Sequence, residues 1–100
     1  EINIAIKIIK DDDQYYSNRA RIKMEMSESR DDLSIIEAIG DLTTAISLNP
    51  KKSYNYFSRG MCRFRAIGWN TACEDFLKAQ SLGEELPPYI LSKLKEYGCD

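Results

Sequence analysis

The sequence predicts an all-α chain built from antiparallel helix hairpins, and three observations lead there. Ala38, Asp41, Leu42 and Ala45 recur as Ala72, Asp75, Phe76 and Ala79, each 34 residues later. Apolar residues fall at helical spacing along four separate stretches, which is the mark of amphipathic helices. Breakers separate the stretches, at Asn49-Pro50, Gly68 and Gly83, where a helix must stop.

Taken in order, Glu1–Lys10 (EINIAIKIIK) has two patterns. Ile2, Ile4, Ile6 and Ile8 alternate as in a strand, while Ile2, Ala5, Ile6 and Ile9 share one helical face. The repeat decides for helix, because Ile2, Ala5, Ile6 and Ile8 superimpose on Leu42, Ala45, Ile46 and Leu48, 40 residues on. The segment reads as the tail of a second helix, from a truncated repeat or the edge of a longer array. Asp11–Asp13 then breaks the chain and supplies an N-cap.

Gln14 to about Glu28 has no Gly or Pro and many good helix formers. Tyr16, Ala20 and Lys23 share a face there, with Ile22 and Met26 beside it. Ser27–Leu33 is polar and turn-like, and Asp31 or Asp32 caps the next helix, Leu33 to about Leu48. Its apolar face carries Ile35, Ala38, Leu42, Ala45 and Ile46. A third helix runs from Tyr54 to about Ile67, packing through Tyr56, Gly60 and Ile67. A fourth, capped by Asn70 or Thr71, runs to about Leu82 with Ala72, Phe76 and Ala79 inward. Pro87-Pro88 opens a last helix, Pro88 to about Tyr97, since proline suits a first turn. Ile90, Leu91, Leu94 and Tyr97 are expected to cover the open side of the last hairpin, as a solenoid cap does.

These residues resemble the tetratricopeptide repeat, a helix–turn–helix unit of about 34 residues. The better unit matches at Tyr56, Gly60, Trp69, Ala72, Phe76 and Ala79. The other matches at Tyr16, Ala20, Ala38, Leu42, Ala45 and Pro50. It carries six extra residues near Ser27–Leu33, because Tyr16 and Tyr56 are 40 apart and Ala38 and Ala72 only 34. The second unit lacks the closing proline and places Gly68 one position late. The resemblance implies a short right-handed α–α superhelix with a C-terminal capping helix. It divides one domain into the end of a preceding repeat helix (1–12), a repeat with an insertion (13–52), a second repeat (53–86) and the cap (87–100).

The resemblance also implies a function, a non-catalytic scaffold whose first helices line a concave groove for a peptide or protein. The repeat register carries the groove to Gln14, Ser17, Asn18, Arg21, Met24 and Glu25, and to Tyr54, Phe57, Ser58, Met61, Phe64 and Arg65. Phe57, Met61 and Phe64 recur at i, i+4 and i+7, a stripe that is either core or docking surface. Chaperone-binding members hold a C-terminal carboxylate with Lys, Asn and Arg. Here Asn18 fits that pattern, but Gln14 replaces the lysine and Ser58 the second asparagine. Arg21 and Arg65 remain candidates for an acidic partner. A second reading is self-assembly, driven by the N-terminal helix through Ile2, Ile4, Ile6 and Ile8.

Composition bounds the rest. With 43% hydrophobic and 30% charged residues the chain belongs with folded, soluble domains. A net charge of −2 lacks the basic surplus that nucleic acid or anionic membrane attracts. No apolar run has membrane-span length, and no leader is visible. Cytoplasm is the default location. Histidine is absent and Cys62, Cys73 and Cys99 show no close pairing, so no metal set, cofactor motif or nucleophile–base pair emerges. Cys73 starts the fourth helix and Cys99 follows the fifth. If those helices run antiparallel a Cys73–Cys99 disulfide forms, in keeping with the cell envelope or exterior; otherwise the three are buried thiols. Arg19 with Asp41 and Arg59 with Asp75 read as a repeated ion pair between hairpin helices. The Asp11–Asp13 run and the Arg59, Arg63, Arg65 group read as solvated or capping charge.

Overall fold

The computed structural model describes residues 12–26 and 33–99. The expected helix at Glu1–Lys10, the cap at Asp31 or Asp32 and, apart from Leu33, the insertion near Ser27–Leu33 lie outside them. Among the described residues five helices follow one another: α1 (Asp13–Met26), α2 (Leu33–Leu48), α3 (Ser53–Ala66), α4 (Trp69–Ser81) and α5 (Pro88–Tyr97). The strongest packing is between α1 and α2 and between α3 and α4, with α2 against α3 joining the two hairpins. The all-helical fold is as the periodicity predicts.

The helix ends show why the sequence folds locally this way. Asp12 caps α1, its Oδ1 accepting from the Gln14 backbone N–H at 2.9 Å. Pro50 follows α2 and cannot extend it, and its carbonyl accepts from the Tyr56 hydroxyl at 2.9 Å. Beyond α4, the N–H groups of Gly83 and Glu84 bond back to Gln80 and Ala79 carbonyls, each at 3.0 Å. That is a Schellman closure, and it requires the left-handed φ of 103° at Gly83 that glycine alone takes cheaply.

Two expected boundaries move. α3 stops at Ala66 and Ile67 is 56% exposed, so it is not a packing residue. The chain leaves the helix there to reach Gly68, whose φ of 139° makes the reversal. Gly68, not Asn70 or Thr71, is therefore the N-cap of α4, without a side-chain cap. The Thr71 hydroxyl instead donates to the Gly68 carbonyl at 3.2 Å.

Among the described residues two clusters form the core. Ala20, Ile35, Ala38, Leu42 and Cys62 join the first hairpin to α3, with Met24, Ile39 and Ala66 packed on them. Tyr56, Ala72, Phe76, Ala79, Leu86 and Ile90 join the second hairpin to α5. Burying a side chain such as Phe76 contributes about 1.5–3 kcal/mol. Gly60 makes room for it: a Cβ built there would sit 2.9 Å from the Phe76 ring. On α5, Ile90 is fully buried and Leu94 packs against the cluster, but Leu91 and Tyr97 are 42% and 57% exposed. The expected four-residue cover is thus narrower. Only Ile90 and Leu94, one turn apart, share the inward face.

Candidate functional site

An ion-pair clamp fixes α1 against α2 and is repeated between α3 and α4. Arg19 Nε and Nη2 donate to both Asp41 oxygens at 3.0 and 2.6 Å. Arg59 does the same to Asp75 at 3.0 and 2.8 Å. The fork geometry of guanidinium on carboxylate makes each clamp directional. Both pairs are legible in the sequence. Their second cations are not: Lys23 reaches Asp41 and Arg63 reaches Asp75, each at 3.0 Å. The available signal was that Lys23 and Arg63 lie four residues after Arg19 and Arg59, on the same face. Arg59 and Arg63 are therefore inter-helix clamps, not the solvated group the charge pattern suggests.

Burial pushes the Asp41 carboxyl up, but hydrogen bonds and charge from Arg19 and Lys23 outweigh it and hold it below its ordinary value. The Asp41 hydrogen bond, reinforced by its charge, raises the Arg19 guanidinium above its own. Burial pushes the Cys62 thiol up to about 11, which makes it a packing group with little thiolate character at neutral pH.

With the hairpins fixed, α1 and α3 meet near their N-terminal ends. Ser17 Oγ donates to Asn55 Oδ1 at 2.5 Å inside that contact. Lys52, just before α3, reaches Asp13 Oδ2 at 3.0 Å and Gln14 Oε1 at 2.7 Å. Gln14 in turn donates to Asn18 Oδ1 at 3.0 Å. The N-terminal half of α1 is thus a polar row anchored by a lysine that the repeat register did not select.

The twelve register-derived residues separate by burial. Gln14, Asn18, Arg21, Glu25 and Tyr54 are exposed. Met24, Phe57, Met61, Phe64 and Arg65 are half-buried. Ser17 and Ser58 are 3% and 4% exposed, so both belong to the helix interfaces and offer no surface.

The apolar stripe of α3 does double duty. Phe57 lies 6.0 Å from Phe76, ring to ring, and Phe64 lies edge-on to Trp69 at 5.8 Å. Outside them sits α5: the Tyr89 hydroxyl is 3.6 Å from Met61 Sδ, and Lys93 Nζ is 5.4 Å from the Phe64 ring centroid. The end of α5 is tied down twice. Trp69 Nε1 donates to the Gly98 carbonyl at 2.8 Å. Cys73 and Cys99, their Cα atoms 5.7 Å apart, are joined as a disulfide. The Trp69 anchor had no signal in the sequence beyond an aromatic at a turn.

Among the described residues no group of His, Cys, Asp or Glu converges as a metal set, and no helix is long and apolar enough to cross a membrane. A shallow depression at the tip of the second hairpin is lined by Ile67, Gly68, Trp69, Asn70 and Thr71, none of which ionises near neutral pH.

The chain is similar to a DnaJ homolog subfamily C member 7 homolog from Dictyostelium discoideum, 35% identical over 72 residues. That match covers 72% of this chain, and the chain spans about 12% of the relative's length. No family profile matches the chain, and no solved structure matches it. The chain is thus all-helical among the described residues and similar over 72 residues to part of a DnaJ homolog.

Proposed function

We propose that this chain is a tetratricopeptide-type interaction module that presents the adjoining faces of α1 and α3 to a peptide or protein segment. The observation that carries this reading is the contact of α1 with α3 through Ser17–Asn55 and Lys52–Gln14. The polar row of Gln14 and Asn18 lies on α1, and the Phe57–Met61–Phe64 stripe lies on α3. The repeated Arg–Asp clamp supports it, because two hairpins with one internal frame stack as repeats do. Likeness to part of a DnaJ homolog is in keeping with a role beside other proteins and not in chemistry. Arg21 and Arg65 favour a segment with acidic residues next to apolar ones. Ser58 is buried, so the site departs from the carboxylate clamp of chaperone-binding repeats.

The test is capture on the immobilised chain and on an Arg21→Ala/Arg65→Ala variant, at low and at physiological salt. Proteins retained by the first and lost by the second, most clearly at low salt, support the reading. Equal capture by both dismisses the arginines.

A second reading, stacking on another copy or on parent repeats, has its own observation. α3 buries Cys62 and packs Ala66 against the first hairpin. The residues 40 positions earlier on α1, Ile22 and Met26, are 51% and 69% exposed. A sizing experiment over a concentration series separates the two: a concentration-independent monomer speaks against self-stacking.

A further inference from the structure

We propose that α5 is a redox-released cover over the apolar stripe of α3, held shut by the Cys73–Cys99 disulfide and opened by a dithiol reductant. This rests on the reading of that stripe as part of a docking face.

The cover is seated where a ligand would be. Tyr89 meets Met61 at 3.6 Å, Lys93 lies over Phe64 at 5.4 Å, and Ile90 enters the cluster on which Phe57, Met61 and Phe64 pack. Its hold is slight. α5 has ten residues and Ile90 is its one fully buried side chain. A helix that short is marginal by itself in water. What keeps it in place lies at its ends: Leu86 buried before it, and the Trp69–Gly98 hydrogen bond and the disulfide after it. The bridge spans 26 positions and ties the end of α5 back to Cys73 near the start of α4, so the loop it closes holds the rest of α4, the connection and the cover.

The chemistry balances as ordinary thiol–disulfide exchange. Cys73 is 1% exposed, whereas Cys99 is half-buried, so an external thiolate reaches the Cys99 sulfur. The Cys73–Cys99 bond breaks, Cys73 leaves as a thiolate and takes a proton, and a mixed disulfide forms on Cys99. The second thiol of the reductant then displaces Cys99, which is released as a thiol. The chain gains two electrons and two protons, and the dithiol is oxidised to its cyclic disulfide. Cys62 stays out of the exchange because it is fully buried.

The experiment is hydrogen exchange read by mass spectrometry on the whole chain, air-oxidised and after dithiothreitol, beside a Cys99→Ser variant without reductant. Reduction is verified by the gain of two hydrogens. We expect exchange in 89–97 to rise by about tenfold or more on reduction and in the variant, as local opening replaces a tied state. Helices α1 to α4 are expected to keep their protection, and a fluorescent apolar dye is expected to bind only the reduced chain. Unchanged exchange in α5 after full reduction overturns the proposal. So does an equal rise along the whole chain, which makes the bridge a staple of the fold, or an air-oxidised chain that carries no bridge. No partner enters this experiment. Its failure leaves the docking reading standing, and failure of the capture experiment leaves this result standing.

Discussion

In the second hairpin Gly60 faces Phe76, whereas at the matching positions of the first the pair is Ala20 and Leu42, both fully buried in one cluster. The larger residue on one helix is offset by the smaller on the other. The Arg–Asp clamp is common to both hairpins, but its surroundings differ: the Arg59 side chain is 15% exposed and that of Arg19 43%. The second hairpin holds aromatic rings and carries α5. The first is filled by aliphatic side chains and leaves Ile22, Met26, Leu33 and Ile36 at its surface. One frame thus tolerates two fillings, provided that the summed volume at the contact is kept. The second filling has more to lose.

The largest expected effect comes from cutting the clamps. Asp75→Ala leaves Arg59 and Arg63 facing each other without their acceptor, and breaking such a pair costs about 3 kcal/mol when its members are shielded from water. Asp41→Ala frees Arg19, whose side chain is already 43% exposed, toward solvent, so a cost of about 1 kcal/mol is expected, close to that of exposed pairs. Urea unfolding of the two variants measures the gap. Equal losses show that the clamps are equivalent and that burial does not divide them.

Next in size is the helix crossing itself. Ala72→Leu inserts a branched side chain where α4 meets α3, and overpacking of this kind costs roughly 1–3 kcal/mol. Ala38→Leu does the same between α1 and α2. Both melting temperatures are expected to fall, Ala72→Leu further because rigid rings surround it. An unchanged melting curve for Ala72→Leu would falsify the assignment of the contact.

The volume rule gives a finer break. Gly60→Ala adds a Cβ 2.9 Å from a fully buried ring. The strain, about 1–3 kcal/mol, is partly offset by the better helix propensity of alanine, about 1 kcal/mol. A net loss of about 1 kcal/mol is expected. Gly60→Ala with Phe76→Leu copies the first hairpin's pair into the second. The double variant is expected to be more stable than the sum of the single losses predicts, which a double-mutant cycle reads directly. Simple additivity would show that Gly60 and Phe76 do not share one space.

What the sequence made legible follows the same division. The 34-residue echo located the helices, and the small residues marked the close contacts, because packing leaves periodic traces. The Arg–Asp pairs were visible as co-repeated residues. Their partners Lys23 and Arg63 were within reach of the same argument, by i+4 spacing. Burial of Ser17 and Ser58 was not legible, since register names a face but not how closely two first helices approach. The Lys52 bridge and the Trp69–Gly98 hydrogen bond were hidden for another reason. Each joins a loop or turn to a distant residue, and such contacts have no period. The disulfide lay between these cases, because an antiparallel arrangement of α4 and α5 had first to be assumed.

The smallest expected effect concerns pH and belongs to the first hairpin. Asp41 is held below the ordinary carboxylate value of 3.8. Its folded value lies under its unfolded one, so the clamp's stabilisation is fully present above about pH 4 and is lost as pH falls through the folded value. Arg19 is 43% exposed, so water screens the pair and the contribution is a few tenths of a kcal/mol to about 1 kcal/mol. The measurement is the melting temperature of wild type and of Asp41→Asn at a series of pH values from neutral to about 2.5. Wild type is expected to melt higher at neutral pH, and the difference to close below pH 4 as the Asp41 carboxylate takes its proton. A difference that persists undiminished at the acid end would show that Asp41 acts through shape and hydrogen bonding, not charge. The clamp would then be a packing device in the hairpin where it is most open to water.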